Sequence, residues 1–476
     1  MTGAPTTARE TAGRPAPDPG RTGRTLVALA FAGMAVAVQQ TLVLPMLPQL
    51  MVRFDAPITD VTWVFTASLL AGAVATPLLT RFGDMYGKKR MILLALALLL
   101  AGSVVCALSG SLVVLIAGRA LQGVSASMIP LAIGMIRDTF PRERITTAIG
   151  VVSATMGAGG SAGMIVTGLI AARTDSHRPV FWIAGAMAAA GLVLVGTAAR
   201  DVGVRVGGRP DYPGVVLLAA WLICLLLGIS EGNAWGWTSA GVLGLFGAAA
   251  VLCAAWVVIE LRVRAPLVRL NLLVGARSLS ANVASALLGF SMFAAFTLIA
   301  GFVQAKPDAV GYGLDGSVLD VGLYMLPSTV TMLAFSFMAG RIAARIGPAF
   351  TLAIGSAFAG LCYAWLAVSN SHVYDMLAFS SIQGIGFGIA YAALGTLAIQ
   401  HVPMDQSGIA SGINSLVRTT GGGIAGAVTA SVLAGQVIAG TDVPSLAAYE
   451  LCFWVVAAGS VMAALVAVVH GLRHPD

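Results

Sequence analysis

Long apolar runs alternate with short polar breaks from residue 25 to the C-terminal end. A bilayer-spanning helix needs roughly 20 predominantly apolar residues. On that length the runs predict about fourteen spanning helices, near 25–48, 60–80, 91–109, 112–136, 146–171, 180–198, 213–230, 239–259, 279–303, 317–340, 349–368, 374–399, 407–436 and 446–469. No polar stretch long enough to form a soluble domain interrupts the series. The expected fold is therefore all-α and integral to the membrane. Residues 1–24, rich in Pro, Gly, Thr and charge, read as a disordered cytoplasmic tail, and 471–476 as a second short tail.

Composition points the same way. The chain is 58% hydrophobic and 10% charged, against roughly 25% charged in soluble domains. The net charge of +7 does not suggest a nucleic-acid partner, because the charges sit in short loops and form no basic face. Alternating the loops from a cytoplasmic N-terminus puts 21 of the 27 Lys and Arg residues inside and leaves Arg53, Arg173, Arg178 and Lys306 outside. That bias orients the chain with both termini in the cytoplasm. The remaining two, Arg119 and Arg418, fall within apolar helices. Trp63, Trp182, Trp235 and Trp237 fall at predicted helix ends, where amphipathic rings settle. The five cysteines lie in apolar runs without a CxxC pair and read as small hydrophobes.

An internal repeat organises the helices. Thr80–Gly87 aligns with Gly340–Gly347 at an offset of 260, Gln122-Gly123 with Gln383-Gly384 at 261, and Gly159–Gly163 with Gly422–Gly426 at 263. Each match falls on the corresponding helix of its half. The expected plan is a six-helix bundle over 25–198, an inserted two-helix segment with its loops over 199–278, and a second bundle over 279–470. Such repeats place a solute path between the halves near the bilayer midplane.

Four stretches carry candidate chemistry. After the second helix comes Gly83-Asp84-Met85-Tyr86-Gly87-Lys88-Lys89-Arg90. The glycines permit a tight turn, Asp84 suits a helix start or a neighbouring cation, and the basic run holds the loop inside. The fourth helix carries Arg119-Ala120-Leu121-Gln122-Gly123, with Gln122 and Gly123 on the face of Arg119. An intramembrane arginine is costly and needs partners. The fifth carries Gly157, Gly159, Gly160, Gly163 and Gly168, small residues that let helices approach closely. The thirteenth carries Asn414 and Arg418 one turn apart.

These stretches resemble the major facilitator superfamily, specifically its fourteen-spanning drug:proton antiporters. The first resembles motif A, the second motif B and the third motif C, the antiporter signature. Asp211-Tyr212-Pro213-Gly214, Ser230-Glu231-Gly232 and Gly408–Gly412 are also similar to this group. The resemblance implies that the Asp84 loop latches the halves in an outward-open state and that Arg119 is tied to proton coupling. Coupling or gating roles are expected for Arg119, Asp84, Arg418, Asp320 and Asp138. Gly83, Gly87, Lys88, Lys89, Arg90, Gly159, Gly163 and Gly168 are the expected conformational positions. The chain departs from the pattern at Thr80, Met85, Met164 and Thr167, where the family has Gly, Arg, Pro and Gly.

The first helix shows the most informative departure. Gln39 stands where the family carries an acid, and an amide cannot hold a proton at physiological pH. All twenty acids fall in loops or near helix ends; Asp320 is the deepest on a core helix. Glu231 and Glu260 are expected to face water. The substrate cavity is expected to draw on Gln39, Gln40, Gln122, Met128, Met292, Phe293, Phe296, Tyr324, Gln383, Tyr391 and Asn414.

The expectation is a secondary active transporter in a bacterial cytoplasmic membrane, exporting hydrophobic or drug-like small molecules by proton antiport with alternating access. Uniport or uptake of a nutrient or lipid-like solute is the alternative, raised by Gln39. The expected partners are a small-molecule substrate, protons and lipid, with the chain acting as a monomer. HExxH, GxSxG and Walker-type motifs are missing, so neither an enzyme, a metal site, a cofactor nor ATP-driven transport is expected.

Overall fold

A computed structural model describes residues 19–474, apart from 44–45, 57, 172, 175, 202–210, 264–265, 267–269, 271–274, 401, 403–406 and 442. Nearly all of it is helix. The elements are α1 (Pro19–Thr41), α2 (Leu47–Phe54), α3 (Ile58–Tyr86), α4 (Lys88–Leu108), α5 (Leu112–Gly123), α6 (Met128–Thr139), α7 (Arg142–Ala171) and α8 (Arg178–Ala198). They continue as α9 (Tyr212–Trp235), α10 (Ala240–Arg262), α11 (Ala276–Gln304), α12 (Val318–Tyr324), α13 (Leu326–Val368), α14 (Val373–Gln400), α15 (Ser407–Gly435) and α16 (Leu446–Arg473). Twelve helical stretches among the described residues are long and apolar enough to cross a membrane. One of them, Leu319–Val368, is broken at Gly347, whose φ of 79° and ψ of 158° leave the helical region just before Pro348. The 29-residue α15 lies outside those twelve.

Polar caps set several helix starts within an apolar chain. Ser111, Ser239 and Ser445 each accept a backbone N–H from the first turn of α5, α10 and α16. Asp211 does the same for α9 through Gly214 N–H. At the start of α4 the N-cap is Gly87, which has no side chain to offer. Asp201, just beyond α8, supplies the acceptor from outside: Lys89 N–H donates to its Oδ1 at 3.0 Å. A Cβ at Gly87 would stand 2.1 Å from Asp201 Oδ2, and its φ of 112° is strained for any other residue.

Three boundaries differ from the hydropathy reading. The first expected helix, 25–48, begins at Pro19 and stops at Thr41. The expected tail therefore overlaps the first turn of α1; the rest of it, and residues 475–476, lie outside the described residues. Thr41 donates its hydroxyl to Gly160 O of α7 at 3.0 Å, which ties the end of α1 to that helix. The expected helix 112–136 is two helices joined by a 3₁₀ turn, Val124–Ser127.

Packing separates into clusters. One large apolar core draws on α1, α3, α4, α6, α7 and α8, and two others on α11 to α16. α9 and α10 pack on each other, touch α3 and α15, and are otherwise mostly exposed. Glu260 is an exception to that exposure and corrects the expectation that it faces water. It is only 4% exposed and packs beside Gly214 at the start of α9, because α9 and α10 close on each other there.

The repeat has a geometric counterpart. A Cβ on Gly123 would lie 2.2 Å from Ser68 O of α3, and one on Gly384 would lie 2.1 Å from Ser328 O of α13. Gln122 Nε2 donates to Ser103 Oγ at 2.8 Å, and Gln383 Nε2 to Tyr363 OH at 3.4 Å. Ser68 and Ser328 are 260 residues apart, as are Ser103 and Tyr363. The same pair of helices meets in each half at the same register, with the glycine in each case admitting backbone of its partner.

Candidate functional site

α7 packs on helices of both halves, α1 on one side and α12, α13 and α14 on the other, while α3 and α6 meet α15. One of its faces belongs to α1: a Cβ on Gly159 would lie 2.6 Å from Met34 O, and one on Gly163 2.9 Å from Val38 O. Toward the other half, Gly168 faces Leu319 of α12, and Ser161 Oγ accepts from Thr329 Oγ1 of α13 at 2.9 Å.

The end of α7 at which the chain enters is sealed against α13 and α14. Thr396 Oγ1 donates to Thr146 Oγ1 at 3.1 Å, and the Arg137 guanidinium donates to Val402 O. Ile399, Val402 and Ala410 join the large apolar core of the first half.

Above this seal lies a cavity of about 70 Å³. Gly160, Ser161 and Met164 of α7 form one wall. The other walls are Met292, Ala295, Ile299 and Ala300 of α11, Val321 of α12, Met325, Ser328 and Met332 of α13, and Gln383, Phe387 and Tyr391 of α14. Four methionines line it. Their unbranched thioethers adapt to varied apolar shapes, a property of promiscuous binding surfaces. The polar groups are few and partly committed. Gln383 bridges Ser328 Oγ at 3.3 Å and Tyr363 OH, and Tyr391 OH donates to Met292 Sδ at 2.8 Å.

A second, narrower pocket of about 10 Å³, room for a water-sized group, adjoins the first across Tyr391. It is lined by Ile129, Pro130 and Ile133 of α6, Ser153 of α7, Tyr391, Gly395 and Ala398 of α14, and Ser411, Asn414, Ser415 and Arg418 of α15. The guanidinium of Arg418 lies over the Tyr391 ring, 5.4 Å from its centroid, and donates to Ser415 Oγ at 3.1 Å.

Of the expected cavity residues, Met292, Gln383 and Tyr391 line the large pocket, and Asn414 lines the small one. Gln39, Gln122 and Met128 are buried inside the first half, away from both pockets. Gln40 and Tyr324 are half-buried and line neither. Phe293 packs against Gly422 of α15; the side chain of Phe296 lies outside the described residues. The sequence reading missed Met164, Met325, Met332, Ser161 and Ser328. Of these, only Ser328 carried a usable signal, as the repeat partner of Ser68.

Arg119 is fully buried and links three helices. Its Nε donates to Val64 O of α3 at 2.9 Å, and Nη1 donates to Gln39 O of α1 at 2.9 Å and Gln122 Oε1 at 2.8 Å. Gln39 O belongs to the last turn of α1, where carbonyls lose their intrahelical donors, so the cation serves as a C-terminal cap. Gln39 itself donates to Ser68 Oγ at 3.1 Å.

At the turn between α3 and α4, Lys88 Nζ sits 3.1 Å from Asp84 Oδ1 and 2.7 Å from Asp138 Oδ2 of α6. All three side chains are at most 6% exposed. Lys89 Nζ donates to Gly196 O at 2.7 Å, which holds the same turn against α8, while Arg90 is exposed. Asp320 lies apart from these groups: it closes a capping box with Ser317 at the start of α12 and lines neither pocket.

Comparisons with known proteins follow this geometry. The family model described as Major Facilitator Superfamily matches residues 29–426 and 288–476. The tetracenomycin C resistance and export protein of Streptomyces glaucescens is 29% identical over 427 residues, covering 88% of this chain and 77% of that protein. The lincomycin resistance protein of Streptomyces lincolnensis is 26% identical over 430 residues, covering 90% and 88%. Among solved structures, the human organic anion transporter MFSD10 superposes with a TM-score of 0.67 over 95% of this chain and 100% of that one. Its identity is 14%, so the likeness is one of fold.

Proposed function

Because the chain belongs to the major facilitator superfamily, we propose that it exports hydrophobic or drug-like small molecules by alternating access, in exchange for protons. The observation that carries this reading is the methionine-lined cavity between α7 and the second half, closed at the end where Arg137 meets Val402. An apolar chamber with few polar groups suits hydrophobic solutes. The relatives named for tetracenomycin C resistance and export and for lincomycin resistance support antibiotic substrates. The twelve long apolar stretches, the break at Gly347 and the separate α15 support fourteen crossings arranged as six, two and six. The loop charges support cytoplasmic termini in a bacterial cytoplasmic membrane, and the chain is taken to work as a monomer.

Coupling is assigned to the Asp84–Lys88–Asp138 cluster and to Arg119. Two carboxylates sharing one buried ammonium form a site whose protonation state depends on which helices surround it. The alternative, transport without protons, is favoured by one observation: no carboxylate lines either pocket.

Purified protein in liposomes, energised by an imposed pH gradient, tests both readings. Lincomycin, tetracenomycin C or both should accumulate against their gradients and leak back when a protonophore is added. Accumulation of neither would overturn the export reading. Flux that survives the protonophore unchanged would replace antiport with uniport.

A further inference from the structure

The small pocket beside Tyr391 contains more hydrogen-bonding capacity than the protein uses. Arg418 is 8% exposed, yet no carboxylate among the described residues lies within ion-pair distance of it. Among the described residues its charge is met by the face of Tyr391 and the hydroxyl of Ser415. Asn414 is 3% exposed; Ser285 Oγ donates to both its backbone O and its Oδ1, while its Nδ2 is buried with no partner. Ser411, also 3% exposed, has a buried Oγ with no partner. All three line one cavity with Ser153. Burying such groups unmet costs roughly 1–3 kcal/mol each, and two of them, Asn414 Nδ2 and Ser411 Oγ, lie beside the Arg418 charge, which points to a polar ligand group. The donors are a guanidinium, an amide N–H₂ and hydroxyls, a set that fits an anion and repels a cation.

Resting on the reading of the larger cavity as the transport path, we propose that this pocket binds the acidic group of the substrate, so that the transported class is amphiphilic anions. A carboxylate or an ionised phenol would reach past Tyr391 toward Arg418 and Asn414 as the narrow pocket widens, with its apolar body in the methionine-lined chamber. Tyr391 forms the wall between the two pockets, and its ring holds the guanidinium toward the anion. The arrangement also explains a cavity without carboxylates: an acid there would pair with Arg418 and close the site.

Pyrenebutyrate and its uncharged counterpart pyrenebutanamide separate charge from shape. Their binding to the purified full-length protein is read by pyrene fluorescence, and no transport is required. The acid should bind about tenfold more tightly than the amide to the wild type, the scale of one charge-assisted hydrogen bond. In Arg418→Gln the two should bind alike, and Arg418→Lys should restore part of the preference. Equal affinities in the wild type, a preference that persists in Arg418→Gln, or binding of neither probe would overturn the proposal. Exchanging sodium gluconate for sodium chloride without a probe is the control for a free inorganic anion. Stabilisation by chloride together with equal probe affinities would make the pocket an inorganic-anion site and remove the substrate assignment. Preference for the acid without accumulation of either antibiotic in liposomes would leave the anion site standing and count against the export reading alone.

Discussion

Arg119 offers the sharpest test of how the first half is built. Replacing it with Met keeps the volume of the side chain and removes its donors. Gln39 O, in the last turn of α1, and Gln122 Oε1 then lose the partners they have at 2.9 and 2.8 Å. Val64 lies inside α3, where the helix ladder still serves its carbonyl. Two orphaned buried acceptors, at about 1–3 kcal/mol each, give a loss of roughly 2–6 kcal/mol. Removing a buried cation recovers part of its desolvation, which places the net near the lower end, about 2–3 kcal/mol. At about 2 °C per kcal/mol for a chain of this size, the unfolding midpoint should fall by roughly 4–6 °C. Arg119→Lys can reach only some of the three acceptors with a single ammonium and should fall between the two. The assay is thermal unfolding in detergent, followed by intrinsic tryptophan fluorescence. An unchanged midpoint in Arg119→Met would refute the assignment of Arg119 as a tie between α1, α3 and α5. A large loss of transport would then have to come from coupling alone.

Lys88→Met leaves Asp84 and Asp138 buried without their shared cation, a change expected to cost about 3–5 kcal/mol. The double change with Asp138→Asn should recover much of it, which a thermal-unfolding cycle measures. Asp84→Asn should alter the balance between inward and outward states, read as accessibility of cysteines introduced on each face. Gly87→Ala combines a strained φ with a Cβ set against Asp201, so its unfolding midpoint should fall. His177, buried beside Phe54 and Phe181, has a pKa lowered to about 4, first by burial and then by Arg53. The unfolded chain therefore takes up a proton between pH 6.5 and 4 that the folded chain refuses, and stability contributed by neutral His177 is lost as pH falls through that window. The fall in unfolding midpoint from pH 7 to 4.5 should be smaller in His177→Gln, and an identical fall would refute it.

The fold was legible wherever hydropathy alone decides it. Twelve long apolar stretches, the motif-bearing turn at Asp84 and the repeat register all trace to sequence features. The boundaries that failed have a common cause. α1 stops at Thr41 although Leu42 and Val43 continue the apolar run, because the decisive contacts come from Arg119 and Gly160, far away in the sequence. The site was less legible. Helices that are apolar on every side lack a periodic face from which the cavity can be read. Met292 therefore could not be told from Met128, although one lines the chamber and the other is buried in the core. Gln39 was expected in the path because of where it stands in helix one; its side chain instead binds Ser68 within the first half.

The two faces of α7 differ in a way that bears on movement. Toward α1 the contact is glycine against main chain, with Thr41 bonded to Gly160, and there is no slack to take up. Toward α13 and α14 Gly150 also lies against main chain, at Ser336 O, but the hydrogen bonds run between side chains, from Thr396 to Thr146 and from Thr329 to Ser161. Any swing of α7 away from the second half must drag α1 along as part of the same lever. An engineered cross-link between α1 and α7 should therefore be silent in transport, while one between α7 and α13 should jam it.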